Sequence, residues 1–511
     1  MDYLIGVDIG TTGTKTALFD LHGNEVAVSY VESKLSYPKE GWVEQDPWDF
    51  YQTAIETISD VVEQSRVEPS SIKSICVAGQ MAGILGVNQT FQPVTRYDSW
   101  LDTRCKQYIE QIRQTAELDV LELSGLPTMV AHCAKMLWWQ NEDPQTHAQV
   151  DKYVMPTTFV VGQLTGLDAC DAYIDDTHAH FSGLFDFYRG EWSSYLCDKL
   201  AVDTSKLPTK IRKPWDVIGT ITDNVAQLTG LSPSTRVVAG CGDQAAGFLG
   251  AGIVEKGEII DVSGTAAVFA TCVDRYSPDV ERRTLLTCKA ATDDLWFPHA
   301  FISGGGLCLR WMKENIVGSN DPNFFHSMNE QAMALMDGPE SSLFLPYLNG
   351  RNFPFNADMR GFWVGFNWKD DAARLYKAIM ESIGYEYLKY LKIEQKLFPD
   401  IKFKRVTAIG GGAKSALFNQ IKADILGIPY VTIDREEVGC LGAALIGGFG
   451  VGVIKELKQT VKSMNSIKQT FTPDMARHKA YQEFALMHEK VTNQMEGIYS
   501  EFTALQARSG Q

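Results

Sequence analysis

Two widely separated segments of this chain carry one pattern. Leu4-Ile5-Gly6-Val7-Asp8-Ile9-Gly10-Thr11-Thr12 and Glu258-Ile259-Ile260-Asp261-Val262-Ser263-Gly264-Thr265 each run as an apolar strand bearing an aspartate and then a Gly-Thr turn, and a second strand resumes after each turn. The repeat predicts two similar halves that meet near residues 245–257. Length agrees, because 511 residues exceed what one hydrophobic core usually organises. We expect two large domains, divided as 1–250 and 251–511, with a cleft between them.

The first half opens as a strand–turn–strand hairpin over residues 3–19 and continues with a helix from Pro47 to Val62. Asp46 can cap this helix, and Phe50, Ala54, Ile58 and Val61 recur at helical spacing. A strand over 72–78 runs into Gly79-Gln80-Met81-Ala82-Gly83, where a substrate-facing loop can start. Residues 116–215 have no periodicity that assigns elements. In the second half, 405–409 and 430–433 read as strands, and 415–426 and 440–446 as helices, so the class is α/β. Residues 474–502 read as one helix with Tyr481, Phe484, Met487, Val491 and Met495 on its core stripe. The uncharged stretch Val438–Ile454 holds six glycines and is slightly short of a membrane span, which predicts a buried helix packed closely against a sheet.

Charge narrows the partners. With 47 Lys plus Arg against 63 Asp plus Glu, the net charge is −16, so duplex nucleic acid and anionic membranes are poor partners and any phosphate site is built locally. The ten cysteines are scattered without a C-x-x-C pair, which argues against a zinc site or a dense disulfide framework. The first residues have neither a basic nor a long apolar region of secretory type, so a reducing cytoplasm is expected.

Asp8 to Lys15 has the parts of a phosphate-holding turn: glycines that permit close backbone approach, the hydroxyls and amides of Thr11, Thr12 and Thr14, and the charge of Lys15. Asp8 at the strand end is placed to hold Mg²⁺ through water. The segment also suits a plain tight hairpin with a capping aspartate. The second turn, with Gly264 and Thr265, strengthens the phosphate reading, because two such turns can grip one polyphosphate from opposite sides of a cleft. Gly410-Gly411-Gly412-Ala413-Lys414-Ser415 is a third Gly-rich turn, suited to lie against a base or ribose. Ala413 stands where a Walker A loop has glycine, so that class is rejected.

A carboxylate near a strand end that faces the terminal phosphate can accept the proton of an attacking hydroxyl, a step worth about 10² to 10⁴ in rate. Asp243 is that candidate; a helix N-cap is its structural alternative. Trp100, Asp102 and Arg104 offer an aromatic beside a polar pair, as a sugar site needs, and equally a surface salt bridge. His178 and His180 lack a spaced partner set and are read as loop or polar-site histidines rather than metal ligands.

These segments, in this order, resemble the FGGY family of carbohydrate kinases over nearly the whole chain. Gly411 to Ser415 followed by Gln420 to Pro429 is the most specific match. An earlier signature is met by Lys135 and Trp138, but has His132 where a small Pro, Ser or Thr is usual. The resemblance implies a two-domain actin-like ATPase fold of the ribonuclease H type, with ATP and Mg²⁺ in the interdomain cleft and phosphoryl transfer to a terminal hydroxyl of a sugar or polyol. Carried over by motif, Asp243 is the general base and Asp8 organises Mg²⁺, while Thr11, Thr12, Lys15 and Thr265 hold phosphates. Gly306, Arg310, Gly411 and Gly412, with Ala413 and Lys414, line the nucleotide. Gln80, Met81, Ala82, Trp100, Asp102, Arg104, Asp243 and Gln244 face the acceptor.

Within the family the chain is most similar to the xylulokinase branch, which implies a ketopentose, D-xylulose first. Ala82 replaces the histidine usual after Met81, so ribulose, erythritol or a glycerol-like polyol stays open. The family also supplies the expectation of a homodimer. Two other classes remain: an actin-like ATP-driven switch that phosphorylates no small molecule, and a kinase-fold sensor that binds sugar without transfer. Asp243 beside a sugar-sized site speaks against the first, and Asp8, Asp243 and Thr265 together speak against the second.

Overall fold

The computed structural model describes residues 1–509. The first half is built on a seven-stranded sheet. Strands β1 (Tyr3–Ile9), β2 (Gly13–Asp20) and β3 (Glu25–Glu32) form an antiparallel meander. Helix α1 (Pro47–Ser65) covers one face of the meander, capped by Asp46, whose carboxylate accepts from the Trp48 N–H. Its apolar stripe of Phe50, Ala54, Ile58 and Val61 is fully buried, and each of the larger side chains contributes about 1.5–3 kcal/mol. Strand β4 (Ile72–Gly79) returns parallel to β1.

The stretch whose periodicity assigned no elements holds the C-terminal half of helix α2 (Lys106–Ser124), then α3 (His132–Glu142) and several short pieces. Strands β5 (Val217–Thr220) and β6 (Arg236–Val238) complete the order β5-β6-β4-β1-β2-β3, with the short β7 (Cys241–Gly242) on β4. Helix α4 (Asp243–Gly250) follows at once.

The second half repeats the scheme. Strands β8 (Glu258–Ser263) and β9 (Ala267–Thr271) form the second hairpin, β10 (Leu286–Lys289) and β11 (Trp296–Ile302) extend it, and helix α5 (Gly305–Trp311) follows. After α6 (Ala372–Leu397), strand β12 (Arg405–Ile409) lies parallel to β8; then come α7 (Ala416–Leu426), β13 (Tyr430–Ile433), helix α8 (Val438–Gly450), β14 (Ile467–Phe471) and α9 (Met475–Ser509). The order is β10-β11-β9-β8-β12-β13-β14. In each sheet the Gly-Thr hairpin sits centrally, with antiparallel neighbours on one side and parallel ones on the other.

The glycine-rich stretch does form a buried helix, but it ends at Gly450, short of Ile454. It crosses α4 and β1 backbone on backbone. A Cβ at Gly442 would stand 1.9 Å from the Ala246 carbonyl oxygen, one at Gly250 1.9 Å from that of Val438, and one at Gly6 1.9 Å from that of Cys440. No described helix is long and apolar enough to cross a membrane.

The stripe expected on α9 is partly wrong. Met487 is half exposed, and the buried line runs through Tyr481, Ala485, His488, Thr492 and Tyr499. Polar groups hold this helix: the Tyr481 hydroxyl donates to Glu381 Oε1 at 3.0 Å, and His488 Nε2 bonds the Phe344 carbonyl at 3.0 Å. A purely apolar template misses such positions.

Candidate active site

Asp8 lies at the C-terminal end of β1, opposite Lys15 of β2. The turn between them closes through Gly10 N–H donating to the Gly13 carbonyl at 2.9 Å. Side chains alternate along a strand, so Asp8 and Lys15 share the face toward α8, while Thr14 and Thr16 point to α1. Thr14 is therefore not available to phosphates as expected: it is fully buried, with its hydroxyl 2.8 Å from that of Thr53 on α1. Lys15 Nζ donates to Glu437 at 2.9 Å, just before α8. The next turn of chain brings Gly439 so close that a Cβ there would stand 2.8 Å from Asp8 Oδ2.

The one-residue offset between the two repeats is visible here. Asp8 stands two residues before its turn glycine and Asp261 three, so the alternation sends Asp261 to the opposite face of its sheet. There it is buried, ion-paired with Lys422, and accepts from the Tyr387 hydroxyl at 2.8 Å and from Ser263 Oγ at 2.8 Å. Asp261 is a core charge, and the first turn alone presents a carboxylate to the cleft.

Asp243 is the first residue of α4 and accepts from the Gln244 N–H at 2.7 Å. Burial pushes its carboxyl up to about 6, against the pull of the Gln244 amide and of His178. Asp8 is pushed up to about 7, first by burial and then by the negative charge of Asp243, with Lys15 opposing. These two carboxyls lie within each other's field in a water-poor place. That arrangement suits one of them to a cation and the other to a proton.

On the acceptor side, Gln80 follows β4 and donates through Nε2 to Gln45 Oε1 at 2.9 Å, while Gln45 donates to the Thr11 carbonyl at 3.3 Å. Trp100 donates through Nε1 to Thr11 Oγ1 at 2.8 Å. These bonds tie the loops at Gln80 and Trp100 to the first Gly-Thr turn. Met81 packs on Gly242, whose Cβ would stand 2.4 Å from Met81 Cε. Ala82 is buried with φ +57°, a left-handed backbone that costs a non-glycine residue about 1–2 kcal/mol.

Asp102 and Arg104 do not line the site as expected. Asp102 is fully buried; its carboxylate accepts from the Val43 N–H at 2.7 Å and pairs with Arg104. Arg104 also bonds Glu44 at 2.7 Å, lies 3.4 Å from Asp98, and stacks 3.7 Å over the Trp42 ring. Neither the sugar contact nor the surface pair describes this cluster. It is an internal frame behind the Trp100 loop, and its adjacent opposite charges read the same in sequence as a binding pair.

The second turn closes one residue tighter than the first, through Gly264 N–H to the Ala266 carbonyl at 3.0 Å, and leaves Thr265 exposed. The start of α5 is fastened to it: Gly306 N–H donates to the Gly264 carbonyl at 3.0 Å and Leu307 N–H to that of Thr265 at 3.2 Å. A Cβ at Gly412 would stand 2.7 Å from Ser263 Cβ, and Gly410 takes φ +83° against the Ser263 carbonyl. Gly264, Thr265, Gly306, Gly411 and Gly412 thus gather in one cradle of backbone. Arg310 is exposed on α5, and Lys414, on the Gly411–Lys414 turn, is exposed and 3.3 Å from Glu436.

Gln45, Glu437 and Gly439 belong to the site and were missed, since each reaches it through a fold contact that no local pattern marks. Among the described residues no cluster of three or more His, Cys, Asp or Glu side chains is arranged to hold a metal. A magnesium ion needs no such cluster when phosphates and water complete its shell. Asp8 fits that use: it is half-buried, it forms no ion pair with Lys15, and the glycine at 439 leaves room beside it.

The profile of the N-terminal domain of the FGGY family of carbohydrate kinases matches residues 3–250, and that of the C-terminal domain matches 262–451. The chain is 26% identical over 513 residues to a xylulose kinase of Staphylococcus epidermidis, covering 99% of each chain. It is 25% identical over 517 residues to a gluconokinase of Bacillus subtilis, covering 99% of this chain and 98% of that one. The fold matches the crystal structure of a ligand-bound xylulose kinase from Lactobacillus acidophilus with a TM-score of 0.90 at 23% identity, over 98% of this chain and 100% of that one. It also matches a glycerol kinase of Plasmodium falciparum with a TM-score of 0.84 at 18% identity, over 96% and 98%. The two-domain α/β architecture expected from the repeat and the resemblance is the one found.

Proposed function

The chain belongs to the FGGY family of carbohydrate kinases, and from that premise we propose that it transfers the terminal phosphoryl group of ATP to a terminal hydroxyl of a small polyhydroxy acceptor, with D-xylulose the first to try. The observation that carries this reading is Asp243: a carboxylate at the head of α4, raised by burial to about 6, is ionised at neutral pH and still basic enough to take a hydroxyl proton. Its tie to Gln244 N–H fixes the oxygen that is not bonded as the accepting one.

In this reading residues 1–250 supply the base, the acceptor loops and the first turn, and residues 251–511 supply the second turn and the nucleoside cradle. Thr11, Thr12, Lys15, Gly264 and Thr265 hold phosphates. Gly306, Arg310, Gly411, Gly412, Ala413 and Lys414 line the nucleoside. Gln80, Met81, Ala82, Trp100 and Gln244 face the acceptor. Asp8 holds Mg²⁺, which when bound draws negative charge from the phosphates. The xylulose kinases and the gluconokinase among its relatives support a sugar or sugar acid as acceptor, and the Gln80-Met81 pair and the Trp100 segment favour the ketose.

The test is coupled ADP release over a panel of ketoses, aldoses, polyols and sugar acids at fixed Mg-ATP, with Asp243→Ala beside the wild type. One acceptor stimulating release in the wild type, with a loss of about 10² to 10⁴ in kcat in the variant, is expected. A folded Asp243→Ala protein with near wild-type turnover would remove Asp243 from the chemistry.

A further inference from the structure

Four polar atoms in the surroundings of Asp243 have no partner and no access to solvent: His178 Nε2, His132 Nε2, Gln244 Oε1 and the Tyr97 hydroxyl. Gln244 is the next residue in the chain; His178 and Tyr97 both lie within the electrostatic reach of Asp243, and His132 within that of His178. Buried polar groups are normally bonded, so these orphans about Asp243 and His178 have bonding capacity to offer a ligand.

His178 is held for such a task. Its Nδ1 meets Asp175 Oδ2 at 2.5 Å, and Asp175 Oδ1 accepts from the Thr177 N–H at 3.0 Å. A carboxylate only accepts, so Nδ1 carries the hydrogen, and Nε2 is the ring nitrogen left without a partner. Thr177 Oγ1 in turn accepts from the Gly242 N–H at 2.9 Å, which locks this loop to the residue before Asp243. Met81 packs on the same Gly242. The loop of His178 and the loop of Met81 and Ala82 thus meet at Gly242.

The positive groups in the same surroundings are already engaged, His178 by Asp175. Lys135 Nζ is buried and donates to the Ser99 carbonyl at 2.9 Å. Arg104 is engaged by Glu44, Asp98 and Asp102. His132 is held neutral by burial. A carboxylate on the acceptor would add a further negative group near Asp243 with no unengaged side-chain cation among these residues to offset it.

Resting on the kinase reading above, we propose that His178, fixed by Asp175, together with His132 forms the hydroxyl-reading wall of the acceptor site, and that the acceptor is an uncharged ketose or polyol rather than an aldonate.

The experiment measures ADP release with D-xylulose, D-ribulose, erythritol and D-gluconate for the wild type, His178→Asn and His132→Ser, with ADP affinity and Tm as checks on folding. An uncharged acceptor is expected to exceed gluconate at least 100-fold in kcat/KM. Each folded variant should raise acceptor KM at least tenfold with ADP affinity kept, and should change the preference between the epimeric ketopentoses, which a merely structural role would leave alone. If His178→Asn does not fold, His132→Ser decides. Gluconate as the best acceptor, or folded variants with unaltered acceptor KM and preference, overturns the inference and leaves the kinase standing. A wild type that no acceptor stimulates overturns both.

Discussion

Asp8 and Lys15 face each other across the first hairpin, yet the lysine ammonium bonds Glu437 at 2.9 Å and leaves the aspartate without an ion-pair partner among the described residues. The cation of the first turn is thereby swung toward the start of α8, and the carboxyl of Asp8 stays in the field of Asp243. Two carboxyls raised by burial therefore bear on the pH behaviour expected of the site.

Asp243 must be ionised to accept a proton, and burial raises it to about 6. The kcat/KM for the acceptor should therefore climb as pH rises through about 6 and level off above it. A pH–rate profile that is flat from about pH 5 to 8 would sink the assignment. Because Asp8 is raised to about 7 beside it, the limb belongs to the pair rather than to one residue.

Arg104→Ala should act on stability. The substitution strands Asp98 and Asp102 in a buried frame, a loss of about 3–5 kcal/mol, while acceptor KM in the folded enzyme stays near that of the wild type. Thermal melts run beside acceptor kinetics separate the outcomes. An unchanged Tm with weakened acceptor binding would return Arg104 to the substrate.

Thr14 and Thr265 should part company. Thr14→Val removes a hydroxyl bonded to Thr53 inside the sheet–helix layer, costing about 0.5–1.5 kcal/mol of stability with no change in the KM for ATP. Thr265→Ala takes an exposed hydroxyl from the second turn and should raise that KM about tenfold or more. Equal effects of the two on ATP would contradict the placement of Thr14.

The contrast also shows what could be read from sequence. Asp8, the two Gly-Thr turns, the α1 stripe and the strand before Gly410 are local patterns, and the structure has them as expected. Thr14 was misread because turn composition was allowed to outweigh strand alternation. Asp102 and Arg104 were misread because two opposite charges beside a tryptophan look the same whether they meet a ligand or each other; only Trp42, Asp98 and Glu44, distant in the chain, decide. Gln45 and Gly439 enter through pairings that no spacing encodes. Residues 116–215 resisted assignment because their elements are short and are buried on more than one side.

At the crossing of α8 with α4 and β1, peptide groups rest on peptide groups. Side chains normally interlock, so one element slips past another only by lifting ridges out of grooves. At Gly6, Gly250 and Gly442 there is no side chain to form a ridge, and the backbones close to direct contact. The same bareness makes the joint intolerant, because a methyl group has no rotamer by which to turn aside, and an alanine at Gly6, Gly250 or Gly442 must displace a whole segment. The joint between the halves is therefore closed to substitution at the three positions where its backbones touch.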